Sequence, residues 1–158
     1  MNTLNQIGLD TKKSEALSDL LNDLLANYTV FYQNVRGYHW NVRGEKFFEL
    51  HVKFEELYNN LFLKIDEVAE RILTLGHTPN HKASDYLKLS AIKETQEVND
   101  GFKAVSNILS AFQTLLKKQR VLLQLSGEID DAGTNSMMSD YIREQEKLVW
   151  MYSAFLNK

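Results

Sequence analysis

Residues 39–70 place two histidines and several carboxylates on one short turn followed by one long helical repeat, and this stretch limits what the rest of the chain can build. Imidazole nitrogen with carboxylate oxygen is a donor set suited to iron, zinc or manganese, so a metal site is the first reading to test. At about 100° per residue, the helix that begins near Gly44 and ends at Leu75 has three faces. Phe47, Leu50, Phe54, Leu57, Leu61, Ile65, Val68, Ile72 and Leu75 recur at steps of three and four and form the apolar stripe of a bundle helix. Opposite them lie Lys46, Glu49, Lys53, Glu56, Asn60, Lys64, Glu67 and Arg71, the expected solvated surface. Between the two sit His51, Glu55, Tyr58, Phe62 and Asp66, with Glu70 at the edge.

His51 and Asp66 share a direction on this wheel, yet at about 1.5 Å per residue they stand about 22 Å apart along the axis. A metal–ligand bond is only about 2 Å long. One continuous helix cannot close both on the same ion. Two copies packed antiparallel about a two-fold axis near Tyr58 to Leu61 would bring the His51 end of one to the Asp66 and Glu70 end of the other. Such a contact uses the same patch on both subunits, with Tyr58 and Phe62 at its centre. The competing reading is that histidines and acids spaced four apart are surface pairs, and spacing alone leaves both open. The aromatic, non-solvent character of the face favours the metal, because unpaired charge there is costly.

The chain of 158 residues suits a single domain spanning 1–158, and 44% hydrophobic with 25% charged content is that of a soluble globular protein. A net charge of −3 gives no bulk attraction to a polyanion. The absence of cysteine removes both disulfides and thiolate metal sites, which is compatible with a reducing cytoplasm and favours iron or manganese over structural zinc. Neither a signal sequence nor a run of about 20 apolar residues is present, and the expectation is a cytoplasmic protein.

Four long helices are expected. Residues 1–10 are a short flexible N-terminal arm. The first helix starts at about Thr11 or Ser14, carries Leu17, Leu21, Leu24, Tyr28, Phe31, Val35 and Tyr38, and reaches His39 near its end. A short connection makes the second helix its antiparallel neighbour. Gly76 and Pro79 then open a long connection over residues 76–92, with a short extra helix in ASDYLKL. Seventeen residues can span about 56 to 61 Å, enough to cross the bundle from end to end. The third helix is expected from near Lys93 to Leu123, the segment SGEIDDAG as a turn, and the fourth helix from about Thr134.

YHWNVRG, FFELHVKFEELY and IDEVAERI resemble the signature of the Dps family, the mini-ferritins also known as DNA-binding proteins from starved cells, and the likeness runs from about Ile7 to Phe155. The resemblance implies an all-α, ferritin-like four-helix bundle with the short helix in its crossover, twelve copies forming a shell. It implies a ferroxidase centre at a two-fold interface, with His39 and His51 from one chain, Asp66 and Glu70 from the other, and Glu55 as an accessory acid. It also implies iron as Fe²⁺ and Fe³⁺ at a di-iron centre, hydrogen peroxide as the preferred oxidant, storage of ferric oxide, and protection against oxidative stress. Conventional ferritins close their centre within one bundle using Glu-x-x-His pairs, and no glutamate lies three residues before any histidine here.

By the same resemblance Trp40 lies close to the iron, and Asp131 and Asp140 line an iron-entry pore. Ser136 stands where many relatives carry a third pore acid, and the helix-dipole preference for acids explains the same positions without a pore. His77 and His81 are expected to face solvent. The alternative function is a nucleoid or DNA-binding protein with iron secondary. Its only basic candidates in the arm region are Lys12 and Lys13, so DNA binding is expected to be weak or absent.

Overall fold

The computed structural model describes residues 3–158. It contains α1 Thr11–Asn41, α2 Phe47–Thr74, α3 Ala83–Leu89, α4 Gly101–Glu128 and α5 Ala132–Phe155. The four long helices form a bundle in which α1 packs along α2, α4 along α5 and α1 against α4, while α3 lies on α1. The core is the set the periodicity predicts: Leu17, Leu21, Leu24, Tyr28, Phe31 and Val35 of α1 meet Phe54, Leu61, Val68 and Ile72 of α2, all at 1% exposure or less.

The chain between α2 and α4 crosses the length of the bundle, and three asparagines of α1 hold it there. Asn22 Oδ1 accepts from the Asn80 amide at 2.8 Å. The fully buried Asn27 accepts from the amides of Ala91 and Ile92 at 3.0 Å each. Asn34 donates to the Lys93 carbonyl at 2.9 Å and accepts from the Thr95 amide at 3.2 Å. Each satisfies backbone groups that a non-helical strand laid on a helix would otherwise leave unpaired.

Residues 93–100, expected as the first turns of the third helix, are extended instead. The Tyr38 hydroxyl and Thr95 Oγ1 hydrogen-bond at 3.0 Å, and the Arg43 amide donates to the Asn99 carbonyl at 2.9 Å. The helix begins only where Asp100 caps it by accepting from the Phe102 amide at 3.1 Å. Gly101 has its own reason at this first turn, because a Cβ there would lie 2.3 Å from Leu50 Cδ1 of α2. The turn into α5 is also shorter than expected, closing over residues 129–131 with Asp130 in the left-handed region at φ 59°.

The predicted solvated stripe of α2 holds at Lys46, Glu49, Glu56 and Glu67, which are exposed, and fails at the buried Lys64. Lys64 is 4% exposed and ion-pairs with Glu144 at 2.6 Å, Glu67 accepts from the Tyr141 hydroxyl at 3.0 Å, and Arg71 reaches Asp131 at 2.6 Å. This stripe faces α5, so polar residues fill part of the space between two core helices. The hydrophobic pattern cannot distinguish such a seam from a wet surface. The described part of the N-terminal arm also folds back, with Asn5 Nδ2 donating to the Leu75 carbonyl at 3.3 Å; residues 1 and 2 lie outside the described residues.

Candidate metal centre

His39 sits in the last turn of α1 and His51 in the second turn of α2, facing each other across the short connection. Their rings stack with centroids 3.8 Å apart and planes 13° from parallel. The Nδ1 of His39 donates to the His51 carbonyl at 2.6 Å, and the Nδ1 of His51 donates to the His39 carbonyl at 2.7 Å. A carbonyl oxygen only accepts, so both Nδ1 atoms carry hydrogen, and Nε2 is the ring nitrogen each histidine would offer to a metal. Backbone carbonyls commonly fix metal-ligating imidazoles in this way, setting tautomer and orientation at once. Phe47 stacks 4.9 Å from the His51 ring, and Tyr58 meets the His39 ring edge-on at 5.3 Å.

The acids lie elsewhere on the same helix. Glu55, Asp66 and Glu70 are all exposed. Among the described residues no three of His, Asp or Glu gather within reach of one ion. The chain by itself therefore offers a pair of imidazole nitrogens at one end of α2 and Asp66 and Glu70 toward the other. Between them runs an aromatic strip, in which Tyr32 lies 6.0 Å from both Tyr58 and Phe62, and Phe62 is 58% exposed. Tyr32 and Tyr58 are half-buried, and an open aromatic such as Phe62 beside them is the kind of ground that interaction surfaces use.

The ferritin-like domain family matches residues 18–158. A DNA protection during starvation protein from Porphyromonas gingivalis is 41% identical, over 98% of this chain and 98% of its own length. The crystal structure of the Dps protein from Vibrio cholerae, one of the ferritin-like diiron-carboxylate proteins, superimposes with a TM-score of 0.96 at 57% identity, over 97% of this chain and 96% of that one. The chain belongs to the Dps family. A Dps from Listeria innocua, 27% identical over 90% of this chain and 95% of that one with a TM-score of 0.87, has been solved with two histidines changed to glycine, and those two are twelve residues apart, as His39 and His51 are here.

Other residues singled out in this Dps chain fall into place less evenly. Trp40 is 57% exposed beside His39, and the Arg36 guanidinium lies 4.9 Å from its ring and 5.4 Å from that of Tyr32. Asp131 is 2% exposed; it caps α5 by accepting from the Thr134 amide at 3.0 Å and holds Arg71 at 2.6 Å, so the fold of the single chain already accounts for this acid. Asp140 is exposed and pairs with Arg143 at 3.1 Å. Lys12 and Lys13 are exposed on the first turn of α1. His77 is half-buried with Nε2 3.4 Å from Ser14 Oγ, rather than open to water, while His81 is exposed. The reciprocal histidine bonds and the Arg36 stack went unread, although the four-residue steps from Tyr32 to Arg36 and on to Trp40 carry the stack in plain sight.

Proposed function

We propose that this Dps chain oxidises Fe²⁺ at centres formed between two copies, His39 and His51 of one facing Asp66 and Glu70 of the other, with Glu55 as an accessory acid. The observation that supports this best is the mutual histidine pair: two imidazoles held by backbone carbonyls through Nδ1, on a chain that brings no carboxylate to them. The donor set fits ferrous iron, since imidazole and carboxylate suit this borderline ion and the two acids offset its charge.

Iron is the substrate here, together with hydrogen peroxide. Two ferrous ions each release one electron and one peroxide accepts both, its O–O bond breaking to leave oxygen at the oxide and hydroxide level. The chain's own contribution is to hold the ions side by side at fixed donors and to keep the surroundings apolar through Tyr32, Tyr58 and Phe62. Removing Fe²⁺ and peroxide together prevents the one-electron cleavage that yields hydroxyl radical. We further propose that the product is kept as ferric oxide in a dodecameric shell in the cytoplasm, which protects the cell from oxidative stress.

The test is Fe²⁺ oxidation by peroxide in the parent and in His51→Ala and Asp66→Ala. Both variants are expected to lose the fast reaction, and co-assembling them is expected to restore about a quarter of it, since half of the random pairs are mixed and each mixed pair has one intact centre of two. Activity in either variant alone, or no recovery on mixing, rejects the shared centre.

A further inference from the structure

The α2 stripe meets α5 first at Asn60, which donates to Glu144 at 2.7 Å, and then on one short span. Lys64 meets Glu144 at 2.6 Å and lies 5.0 Å from the Tyr141 ring. The Tyr141 hydroxyl donates to Glu67 at 3.0 Å. Arg71 donates to Asp131 at 2.6 Å and to Thr134 at 2.8 Å. The Lys64, Glu67 and Arg71 contacts fall on residues 64–71, the two helical turns that also carry Asp66 and Glu70 on the adjoining face.

Burying the charges of Lys64 and Asp131 is a poor way to gain stability, because removing ions from water is seldom recovered by their attraction, and well-packed apolar replacements are often neutral or better. What charged and directional contacts provide is a single setting. An apolar helix face tolerates small rolls about its axis. Three hydrogen-bonded clamps at successive steps of three and four do not, and a roll of one residue, about 100°, would carry both acids off their face. The histidines are fixed from behind by each other's carbonyls, and the acids have no such support on their own face.

We propose that the α2–α5 seam supplies it: Lys64, Glu67 and Arg71, through Glu144, Tyr141 and Asp131, are positioning residues that set the angle at which Asp66 and Glu70 meet a divalent cation held by the histidines of a second copy. This rests on the shared-centre reading above. It assigns the seam a role in cation binding that is separable from its role in folding.

The test uses the assembled full-length protein and Co²⁺, whose visible spectrum reports its ligand geometry without turnover. An apolar seam, Lys64→Met with Glu144→Leu, is expected to keep the parental urea midpoint or exceed it while binding Co²⁺ about tenfold or more weakly, with an altered spectrum. The reversed pair, Lys64→Glu with Glu144→Lys, is expected to restore both. Tyr141→Phe removes one oxygen and keeps the ring, and is expected to weaken Co²⁺ in the same direction; it carries the test if the apolar pair does not fold. Parental affinity and spectrum in Tyr141→Phe and in the apolar seam, with Asp66→Ala losing the cation, overturn the positioning role and leave the shared centre standing. Parental Co²⁺ binding in Asp66→Ala overturns both.

Discussion

His39 and His51 are each other's support: the Nδ1 of either ring ends on the backbone oxygen of the other residue, at 2.6 and 2.7 Å. The pair therefore acts as one unit. Replacing one imidazole removes one proposed ligand and also frees one backbone oxygen and one stacking partner of the other. Effects of residues coupled in this way do not add. His39→Ala and His51→Ala are each expected to weaken Fe²⁺ binding about as much as the double variant does, as measured by anaerobic titration. A double variant whose loss equals the product of the single losses would show two independent ligands.

Asp131 has two readings, pore acid and helix cap, which one variant separates. As a pore acid its loss would slow iron entry and leave the fold untouched. As the cap of α5 and the buried partner of Arg71, Asp131→Ala is expected to cost about 3–5 kcal/mol, the range for breaking a buried ion pair. Urea unfolding at neutral pH decides, and an unchanged midpoint favours the pore reading.

Buried tyrosines set an alkaline limit on stability, and three of them, the most strongly shifted, dominate it. Burial pushes the hydroxyls of Tyr28, Tyr141 and Tyr152 up from their ordinary value, and the neighbouring carboxylate Glu67 adds to the effect on Tyr141. Their folded-state pKa lies above the unfolded one, so the stabilisation is complete below about pH 10 and is lost as pH rises beyond it. There the unfolded chain releases three protons that the folded chain retains. Stability is expected to fall by up to about 4 kcal/mol per pH unit above pH 10, and Tyr152→Phe is expected to reduce that slope by about a third. A urea midpoint that stays flat from pH 9 to 11 contradicts this.

DNA retention is expected to be weak at physiological salt. The net charge is −3, and the basic residues of the N-terminal region, Lys12 and Lys13, sit on a single helical turn. Affinity for a polyanion depends on the number of phosphates neutralised and falls steeply with salt. A gel shift with the assembled protein should show release well below physiological ionic strength. Stoichiometric retention there would favour the nucleoid function, and its loss in Lys12→Ala with Lys13→Ala would locate the contact.

The four long helices were legible because apolar steps of three and four survive any tertiary context, from Leu17 to Val35 and from Leu50 to Ile72. The separation of His51 from Asp66 was legible for the same reason, since helix rise is fixed. What stayed hidden depends on what a polar residue meets. Asn22, Asn27 and Asn34 read as ordinary helix-surface residues, and only a crossover laid along α1 shows that they bind its backbone. Lys64 and Arg71 fall on the polar arc of the wheel, yet they point at α5, whose Tyr141 and Asp131 complete them. Val98 continued the apolar repeat of the next helix while belonging to the extended segment before it, which is why that helix was expected about eight residues early.

That extended segment has a reach beyond its own residues. Thr95 is joined to Tyr38 and Asn99 to Arg43, one residue before His39 and four after it. The crossover thus splints, from a distance of more than fifty positions in the chain, the corner that carries the first imidazole. Lengthening or shortening it would be felt less in the loop itself than in the aim of His39, and a ligand in one part of the molecule would inherit its accuracy from connecting backbone in another.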